Sequence, residues 1–465
     1  MPHLTAHADI GDHSISTALA SAIQQRAIET LSAFGRKSRQ HSRQQISQIA
    51  DSIRGFGFLN PVLVDENGKV LAGNARVEAA RLLKWDFVPC IQASHLTAAQ
   101  KRAFVIAENR LGELASWDND VLRIEFQELI ELKTDFSLEV TGFTEPQIDA
   151  IVLGGEGGSE RGDKAPAPPA DPVSRVGDLW ILGDHRLLCG DATDQDVVAR
   201  LMNGVEARSV FTDAPYNVPV AGHITSGGQH GEFVMASGEM TDEEFTAFLT
   251  RVFDRIVDAL TPGGLAYFAM DWRHMKHTLD AAEAAGAELL NLCVWDKKSG
   301  GMGSFYRSRH ELVFLFRKPG GSHVNRVQLG SNGRNRANVW AYDGVNGFGA
   351  GKAKARELHP TVKPLALVRD AILDSSARGD VVLDLFSGSG TTIIAAEHSG
   401  RRGHATELDP RYVDVGVIRW QDFTGRQARL ATTGRTFDQV RAERATRSAT
   451  NDALPPARVR TRLAA

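Results

Sequence analysis

Residues 381–398 constrain the fold more than any other stretch. Val381-Val382-Leu383-Asp384-Leu385-Phe386 is a short apolar run and reads as a buried strand. Ser387-Gly388-Ser389-Gly390 follows at once, and Thr391 to His398 reads as a helix. Strand, glycine-rich turn and helix in that order make a Rossmann-like first turn, so this part of the chain is expected to be α/β. The glycines let the backbone approach a ligand closely, and the free N–H groups of the helix start suit a polar or anionic group. Taken alone, the turn also fits an ordinary core connection. The next stretch favours a ligand: Arg402-Gly403-His404-Ala405-Thr406 leads to Glu407, about 20 residues past the turn, where a carboxylate accepts hydrogen bonds from ribose hydroxyls. No Gly-x-x-x-x-Gly-Lys-Ser/Thr loop occurs, which argues against a P-loop nucleoside triphosphatase.

A second constellation lies upstream. Ser209-Val210-Phe211-Thr212 reads as a strand ending in Asp213-Ala214-Pro215-Tyr216-Asn217. An exocyclic base amine is a poor nucleophile because its lone pair is delocalised into the ring. Asp213 is placed to accept one N–H and the Ala214 carbonyl the other, drawing the nitrogen toward a tetrahedral state as positive charge develops on it. Pro215 restricts the backbone that presents the carbonyl. Tyr216 offers a ring face for a base flipped out of its stack, a step that costs a few kcal/mol. Such chemistry needs no metal. The same residues also fit a plain strand-to-turn junction; the glycine turn beside them favours the chemical reading.

The chain has 465 residues, which suggests two or three domains. Its hydrophobic fraction of 42% and charged fraction of 24% are those of an ordinary globular protein. Cys90, Cys189 and Cys293 are far apart with no Cys-x-x-Cys, which argues against structural zinc or disulfides and fits the cytoplasm. No signal peptide or membrane-length apolar run is read. The net charge of −4 means that any nucleic-acid contact comes from local basic patches. Residues 1–30 read as a weakly ordered lead-in, 31–153 as an α+β domain, and 154–172 as a Gly/Pro-rich linker. Residues 173–430 read as a second domain and 431–465 as a basic, solvated tail. His274 and His277 read as surface or packing residues.

With these residues in view, 173–425 resembles the DNA amino-methyltransferases that act on adenine N6 or cytosine N4, in their permuted β order. Asp213-Ala214-Pro215-Tyr216 stands for the D/N/S-P-P-Y/F/W motif and Phe386-Ser387-Gly388-Ser389-Gly390 for F-x-G-x-G. His359-Pro360-Thr361-Val362-Lys363-Pro364 is similar to the segment that precedes the cofactor strand in that order. Leu188-Cys189-Gly190-Asp191 is similar to the Gly-Asp strand end. Thr261-Pro262-Gly263-Gly264 and Tyr306-Arg307-Ser308-Arg309-His310-Glu311 fit later motifs. The resemblance implies S-adenosylmethionine as cofactor, bound by Asp191, Thr361, Lys363, Asp384, Phe386, Ser387, Gly388, Ser389, Gly390, Thr391 and Glu407. It implies a catalytic group of Asp213, Ala214, Pro215 and Tyr216. Ala214 departs from the usual proline: the carbonyl survives, with less backbone rigidity. The leading Asp favours adenine N6 over cytosine N4.

By its place in the family order, 324–356 is the expected target-recognition region. Arg326, Arg334, Arg336, Lys352, Lys354 and Arg356 there are candidate contacts to double-stranded DNA, interleaved with Trp340, Tyr342 and Phe348. A solvated loop is the plain alternative. Gly222 to Gly231 reads as a loop that closes on the base.

Residues 34–110 resemble the ParB N-terminal domain, a ParB-like nuclease or partition-type domain. The matching pieces are Ser52-Ile53-Arg54-Gly55-Phe56-Gly57, Asn60-Pro61-Val62, Gly73-Asn74-Ala75-Arg76 and Glu108-Asn109-Arg110. The resemblance implies a nucleotide phosphate at Gly73, Arg76, Asn109 and Arg110. Ala75 stands where partition proteins have a further Arg, which departs from a CTP-hydrolysing pattern. A domain that supplies only DNA affinity or homodimer contacts is the other reading.

The expected whole is a Rossmann-like S-adenosylmethionine-dependent methyltransferase behind an α+β ParB-like domain. The expected activity is site-specific methylation of DNA at adenine N6, with cytosine N4 as alternative. A DNA- or nucleotide-binding module with an inactive methyltransferase half is the alternative of another class. No nuclease motif is read, so a restriction partner would be a separate chain.

Overall fold

The chain divides into two units, Met1–Gly155 and Glu156–Ala465. The computed structural model describes residues 22–35, 39–132, 134–153, 165–217, 238–298, 305–327, 336–343 and 363–452.

The first unit is built on a five-stranded mixed sheet. Its elements are β1 (Ile23–Ala27), β2 (Ser32–Ala33), α1 (Arg43–Phe56), β3 (Val62–Val64), β4 (Lys69–Ala72), α2 (Asn74–Leu82), β5 (Phe87–Gln92), α3 (Ala98–Glu113), α4 (Asn119–Glu131) and α5 (Glu145–Leu153). The sheet order is β1-β5-β3-β4-β2. Here the expectation of a loose lead-in over 1–30 is corrected for residues 22–30, and residues 1–21 lie outside the described residues. β1 pairs antiparallel with β5, and Ile28 and Leu31 sit in the core beside Val62, Val64 and Val88. The Gln-Gln-Arg run of β1 concealed an edge strand, since an edge tolerates polar side chains on its open face. Ser42 caps α1 by accepting from the Gln45 N–H, and Ala50 and Ile53 of that helix pack on Ala79 of α2.

The second unit holds β6 (Leu179–Leu182), β7 (His185–Cys189), α6 (Gln195–Met202), β8 (Ala207–Asp213), α7 (Asp242–Ala259), β9 (Leu260–Met270), α8 (Met275–Ala284), β10 (Glu288–Asp296), β11 (His310–Arg317), β12 (Val339–Ala341), α9 (Leu365–Ser375), β13 (Val381–Asp384), α10 (Thr391–Ser399), β14 (Arg402–Glu407), α11 (Pro410–Thr424), β15 (Arg429–Leu430) and α12 (Phe437–Asp452). Ten strands form one sheet in the order β12-β10-β11-β9-β8-β13-β14-β7-β6-β15. The run β9-β8-β13-β14-β7 is parallel. Leu383 faces a core with α6, α7 and α8, while its neighbour Val382 faces one with α9, α10, α11 and α12. The unit is thus a doubly wound α/β domain, helices on both faces of a buried parallel centre.

β13 enters the sheet between β8 and β14, although β8 precedes it by about 170 residues. The Asp213 turn and the glycine turn therefore emerge side by side at the carboxyl ends of adjacent strands, where such sheets bind ligands. Thr212 Oγ1 ties them by donating to Asp384 Oδ1 at 3.0 Å, a contact 172 positions apart in sequence.

The reading of 431–465 as a solvated tail is also corrected over its first part. β15 pairs with β6, and α12 drives Phe437 against Trp180, ring centroids 5.1 Å apart. Val440 is buried one turn later, and Arg444 donates to Asp178 at 2.5 and 3.0 Å. Two apolar anchors three residues apart suffice to dock a helix, and the surrounding arginines hid them. No helix among the described residues is long and apolar enough to cross a membrane.

Candidate functional site

Asp213 closes β8, and its carboxylate is held on both oxygens. Tyr216 OH donates to Oδ1 at 2.7 Å, and Lys363 Nζ donates to Oδ2 at 2.5 Å. The same ammonium lies 3.2 Å from Tyr216 OH and 3.2 Å from Glu311 Oε2, and Lys297 Nζ lies 3.2 Å from Glu311 Oε1. Burial pushes the Asp213 carboxyl above its ordinary range, against the pull of Lys363. Burial acts on Glu311 in the same sense, but Lys363 and Lys297 outweigh it and hold that carboxyl low. For Lys363, burial is outweighed by Asp213 and Glu311, so its ammonium form is favoured. Ala214 is buried in the α7 core. Asn217 sits in the left-handed region at φ 54°; its amide accepts from Gly238 and Met240 N–H and donates to the Met240 carbonyl. That clamp fixes where the chain leaves the Asp213 turn.

The glycine turn is held from beneath. Gly390 caps α10 at φ 83°, and a Cβ there would lie 3.0 Å from Gly416 Cα on α11, so both the conformation and the helix approach require glycine. Glu407 Oε2 accepts from Gly388 N–H at 2.8 Å and Oε1 from Asp409 N–H at 2.9 Å. Burial raises this carboxyl to about 7 despite those bonds. Asp191 stands after β7 at the same edge, where Gly190 N–H donates to the Glu407 carbonyl. Its Oδ1 accepts from Thr193 N–H at 2.8 Å and from the Thr193 hydroxyl at 2.9 Å. Phe386 packs near Phe248, centroids 6.1 Å apart. Ser387 Oγ is buried and has no hydrogen-bond partner among the described residues, so a bound polar group is the natural one. A carboxylate for a diol, an unfilled hydroxyl and a close backbone fit a nucleoside-type ligand.

Several expected ligand residues also make bonds that brace the turn. Asp384 Oδ1 accepts from Thr212 and from Phe386 N–H, and Oδ2 from Thr392 Oγ1 at 2.6 Å, which bind it into the turn. Burial raises its carboxyl to about 6. Arg419 of α11 donates to the Ser389 carbonyl, Ser389 Oγ and Thr391 Oγ1 at 3.0, 3.1 and 3.0 Å. Lys363, expected at the cofactor, instead reaches Asp213. Arg419, Lys297 and Glu311 were not read as site residues, because each acts through a partner distant in sequence. Thr361 lies outside the described residues.

The basic stretch 324–356 behaves differently. Arg334, Lys352, Lys354 and Arg356, and the loop Gly222 to Gly231, lie outside the described residues. The half-buried Arg326 anchors its backbone N–H on the Asp374 carbonyl. Arg336, expected at the DNA, is turned into the protein. Its side chain is only 15% exposed, with Nη1 2.7 Å from Asp370 and Nε 2.9 Å from Asp374. It also donates to Tyr342 OH at 2.8 Å and lies over the Trp340 ring. β12 adds this part to the sheet edge by pairing in parallel with β10. Two carboxylates of α9 consume the charge.

His274 bonds Asp271 at 2.6 Å and His277 lies 3.6 Å from Asp242, both packed around Phe245. Among the described residues no His, Cys, Asp and Glu side chains group as a metal site.

In the first unit, Gly73 caps α2 at φ 100°, and a Cβ there would lie 3.0 Å from Arg76 Nη2. The half-buried Arg76 has a buried Nε with no hydrogen-bond partner among the described residues; burial lowers its pKa, against the opposing charge of Glu108 on α3. Asn109 accepts from Arg39 at 3.3 Å and donates to the Val105 carbonyl. Arg110 pairs with Glu113 one turn along its own helix.

Three family models match the chain. The model described as DNA methylase matches residues 207–417, ParB N-terminal domain matches 13–110, and ParB-methyltransferase HTH domain matches 120–176. The last takes in α4 and α5 and residues read from the sequence as the end of the first domain, the linker and the first residues of the second domain. The chain is 47% identical over 77 residues to the ParB-like nuclease domain-containing protein YnaK of Escherichia coli (strain K12), covering 17% of this chain and 88% of YnaK. It is 25% identical over 253 residues to the type II methyltransferase M.HpaI of Haemophilus parainfluenzae, covering 51% of this chain and 74% of that protein. Among solved structures, the M1.HpyAVI–SAM complex is similar at 19% identity with a TM-score of 0.38, over 50% of this chain and 97% of that one.

Proposed function

The chain belongs to the N6/N4 DNA methylase family, joined to ParB-type N-terminal domains, and from that premise we propose that it methylates adenine N6 in double-stranded DNA, with S-adenosylmethionine as donor. The observation that carries this reading is the juxtaposition of Asp213 and Tyr216 with the glycine turn, across the Thr212–Asp384 bond. The residues present fit the donor: Ser387 Oγ seeks a partner and Glu407 retains lone pairs for ribose hydroxyls. When bound, S-adenosylmethionine supplies an electrophilic methyl group on sulfonium.

Asp213 and the Ala214 carbonyl accept the two N–H bonds of the flipped base, so the nitrogen lone pair turns toward the methyl group. Tyr216 offers its ring face to the base while its hydroxyl braces Asp213. The core packing of Ala214 and the Asn217 clamp hold this geometry before substrate arrives, which removes reorganisation from the reaction step. The leading Asp of the motif favours adenine.

The test is mass spectrometry of nucleosides from duplex DNA incubated with the protein and isotopically labelled donor. Label in N6-methyladenine is expected. Label in N4-methylcytosine would keep the mechanism and change the base. No label, with donor binding intact, would favour a binding module whose methyltransferase half is inactive.

A further inference from the structure

Each oxygen of the Asp213 carboxylate already accepts one hydrogen bond, and on Oδ2 the donor is an ammonium at 2.5 Å. Tyr216 OH takes Oδ1 and the Lys363 ammonium takes Oδ2. A target amine bound in the way proposed above would share Oδ2 with that ammonium, which also stands 3.2 Å from Tyr216 OH, or take its place. The Tyr216 ring packs against the α7 core, whereas Lys363 ends a flexible four-carbon stem. A second acceptor lies beside that ammonium. Glu311 Oε2 is 3.2 Å from Nζ, shut off from solvent, and has no other partner among the described residues. Lys297 holds the other Glu311 oxygen at 3.2 Å. Two carboxylates and two ammonium groups thus share one cluster, with Lys363 8%, Glu311 11%, Asp213 21% and Lys297 28% exposed.

We propose that Lys363 is a placeholder for the target amine at Asp213, and that Glu311 is the carboxylate that receives its ammonium when the base enters. Both are positioning residues, and the inference rests on the methylation reading. Nζ already stands 3.2 Å from Glu311 Oε2, so the shift stays within one charge cluster and no ion is carried through apolar space unpaired, which would be costly. It also leaves the amine facing a bare carboxylate oxygen. The step then balances. The amine nitrogen bonds to the methyl carbon, the carbon–sulfur bond breaks with its electron pair left on sulfur, and the surplus N–H proton passes to Asp213 Oδ2. The opposite drift of the two carboxyl groups suits this division: Asp213 is the more basic and can take a proton, while Glu311 stays ionised.

The experiment is a double-mutant cycle on the full chain, reading kcat/KM for mixed-sequence duplex DNA with labelled S-adenosylmethionine. Glu311→Gln leaves Lys363 with Asp213 as its sole carboxylate and should lower kcat/KM at least tenfold. In the Lys363→Gln background the ammonium is gone, and adding Glu311→Gln should cost less than threefold. Donor affinity by calorimetry should stay within twofold throughout. Equal penalties for Glu311→Gln in both backgrounds would mean a merely structural role and overturn the proposal. So would a Lys363→Gln enzyme that melts as a folded protein and binds donor but is inactive, because a placeholder takes no part in the chemistry, and so would loss of donor binding in Glu311→Gln. A wild-type chain that methylates no DNA would instead sink the methylation reading, and this inference with it.

Discussion

The glycine turn and the stretch around Arg336 lie in one unit and are both rich in polar groups, but those groups are spent differently. At the turn, Asp384, Arg419 and the Gly388–Glu407 bond brace the backbone, and Ser387 Oγ and the outer lone pairs of Glu407 are left for a ligand. Around residue 336 the guanidinium is consumed by Asp370, Asp374 and Tyr342. A binding site is marked by polar atoms whose geometry is fixed and whose partners are missing. A count of basic residues marks only charge, and α9 supplies its neutralisation.

The hardest test of that contrast is Asp213→Ala. If the braced edge performs the chemistry, kcat should fall by about a thousandfold or more, as when a preorganised transition-state contact is lost. The donor Kd should change less than twofold, because the turn is braced independently through Asp384. Single-turnover kinetics and calorimetry measure the two. Retained transfer would remove Asp213 from its role and break the distinction between spent and unspent groups.

Arg336→Ala probes the other side. Removing one member of a buried ion pair leaves carboxylates uncompensated, and a loss of about 3 kcal/mol in unfolding free energy is expected. The salt dependence of DNA binding should be unchanged, whereas a phosphate contact would reduce its slope by about one. Denaturant melts and a salt titration separate the outcomes. A shallower slope with unchanged stability would restore Arg336 as a DNA contact.

These two residues also show what a sequence makes legible. Strand β13, the glycine turn and Glu407 are contiguous, so periodicity and spacing exposed them. Asp213 and Tyr216 stood out because their chemistry is local to four residues. Lys363 was visible as a motif residue, but its partner is 150 positions away, and only the insertion of β13 beside β8 brings them together. Arg336 and Asp370 are 34 positions apart with no local signal linking them. The Phe437 anchor lay among arginines and β1 among glutamines, because elements at a sheet edge or domain rim need only one or two apolar contacts.

Glu407 gives a smaller effect with a definite sign. Its carboxyl is raised from 4.5 to about 7 in the fold, so its contribution to the stability of the ligand-free protein is present at low pH and lost as pH rises through that range. Ribose hydroxyls favour the ionised acceptor, so donor affinity should move the other way. It should strengthen about tenfold from pH 6 to pH 8 and level off above about 7. Calorimetry across that range should show the slope, and Glu407→Gln should flatten it. A flat wild-type profile would mean that Glu407 is spent on the Gly388 and Asp409 N–H groups alone, like Arg336 on its carboxylates.

The smallest expected effect concerns Ala214, which stands where the related motif has a proline. Asp213 ends β8 in extended pairing with Ala269, and a following proline demands that extended backbone. Ala214→Pro is therefore compatible with the chain direction. Its carbonyl is already fixed from both sides, by core burial of the methyl group and by the Asn217 clamp. A further restraint on a rigid carbonyl should raise kcat no more than threefold, under about 1 kcal/mol of barrier. A gain above tenfold would show that the carbonyl moves in the wild-type chain, and the edge would then be less preorganised than its packing implies. A fall in both kcat and melting temperature would show that the ring does not fit the α7 core, and that alanine stands at 214 for packing.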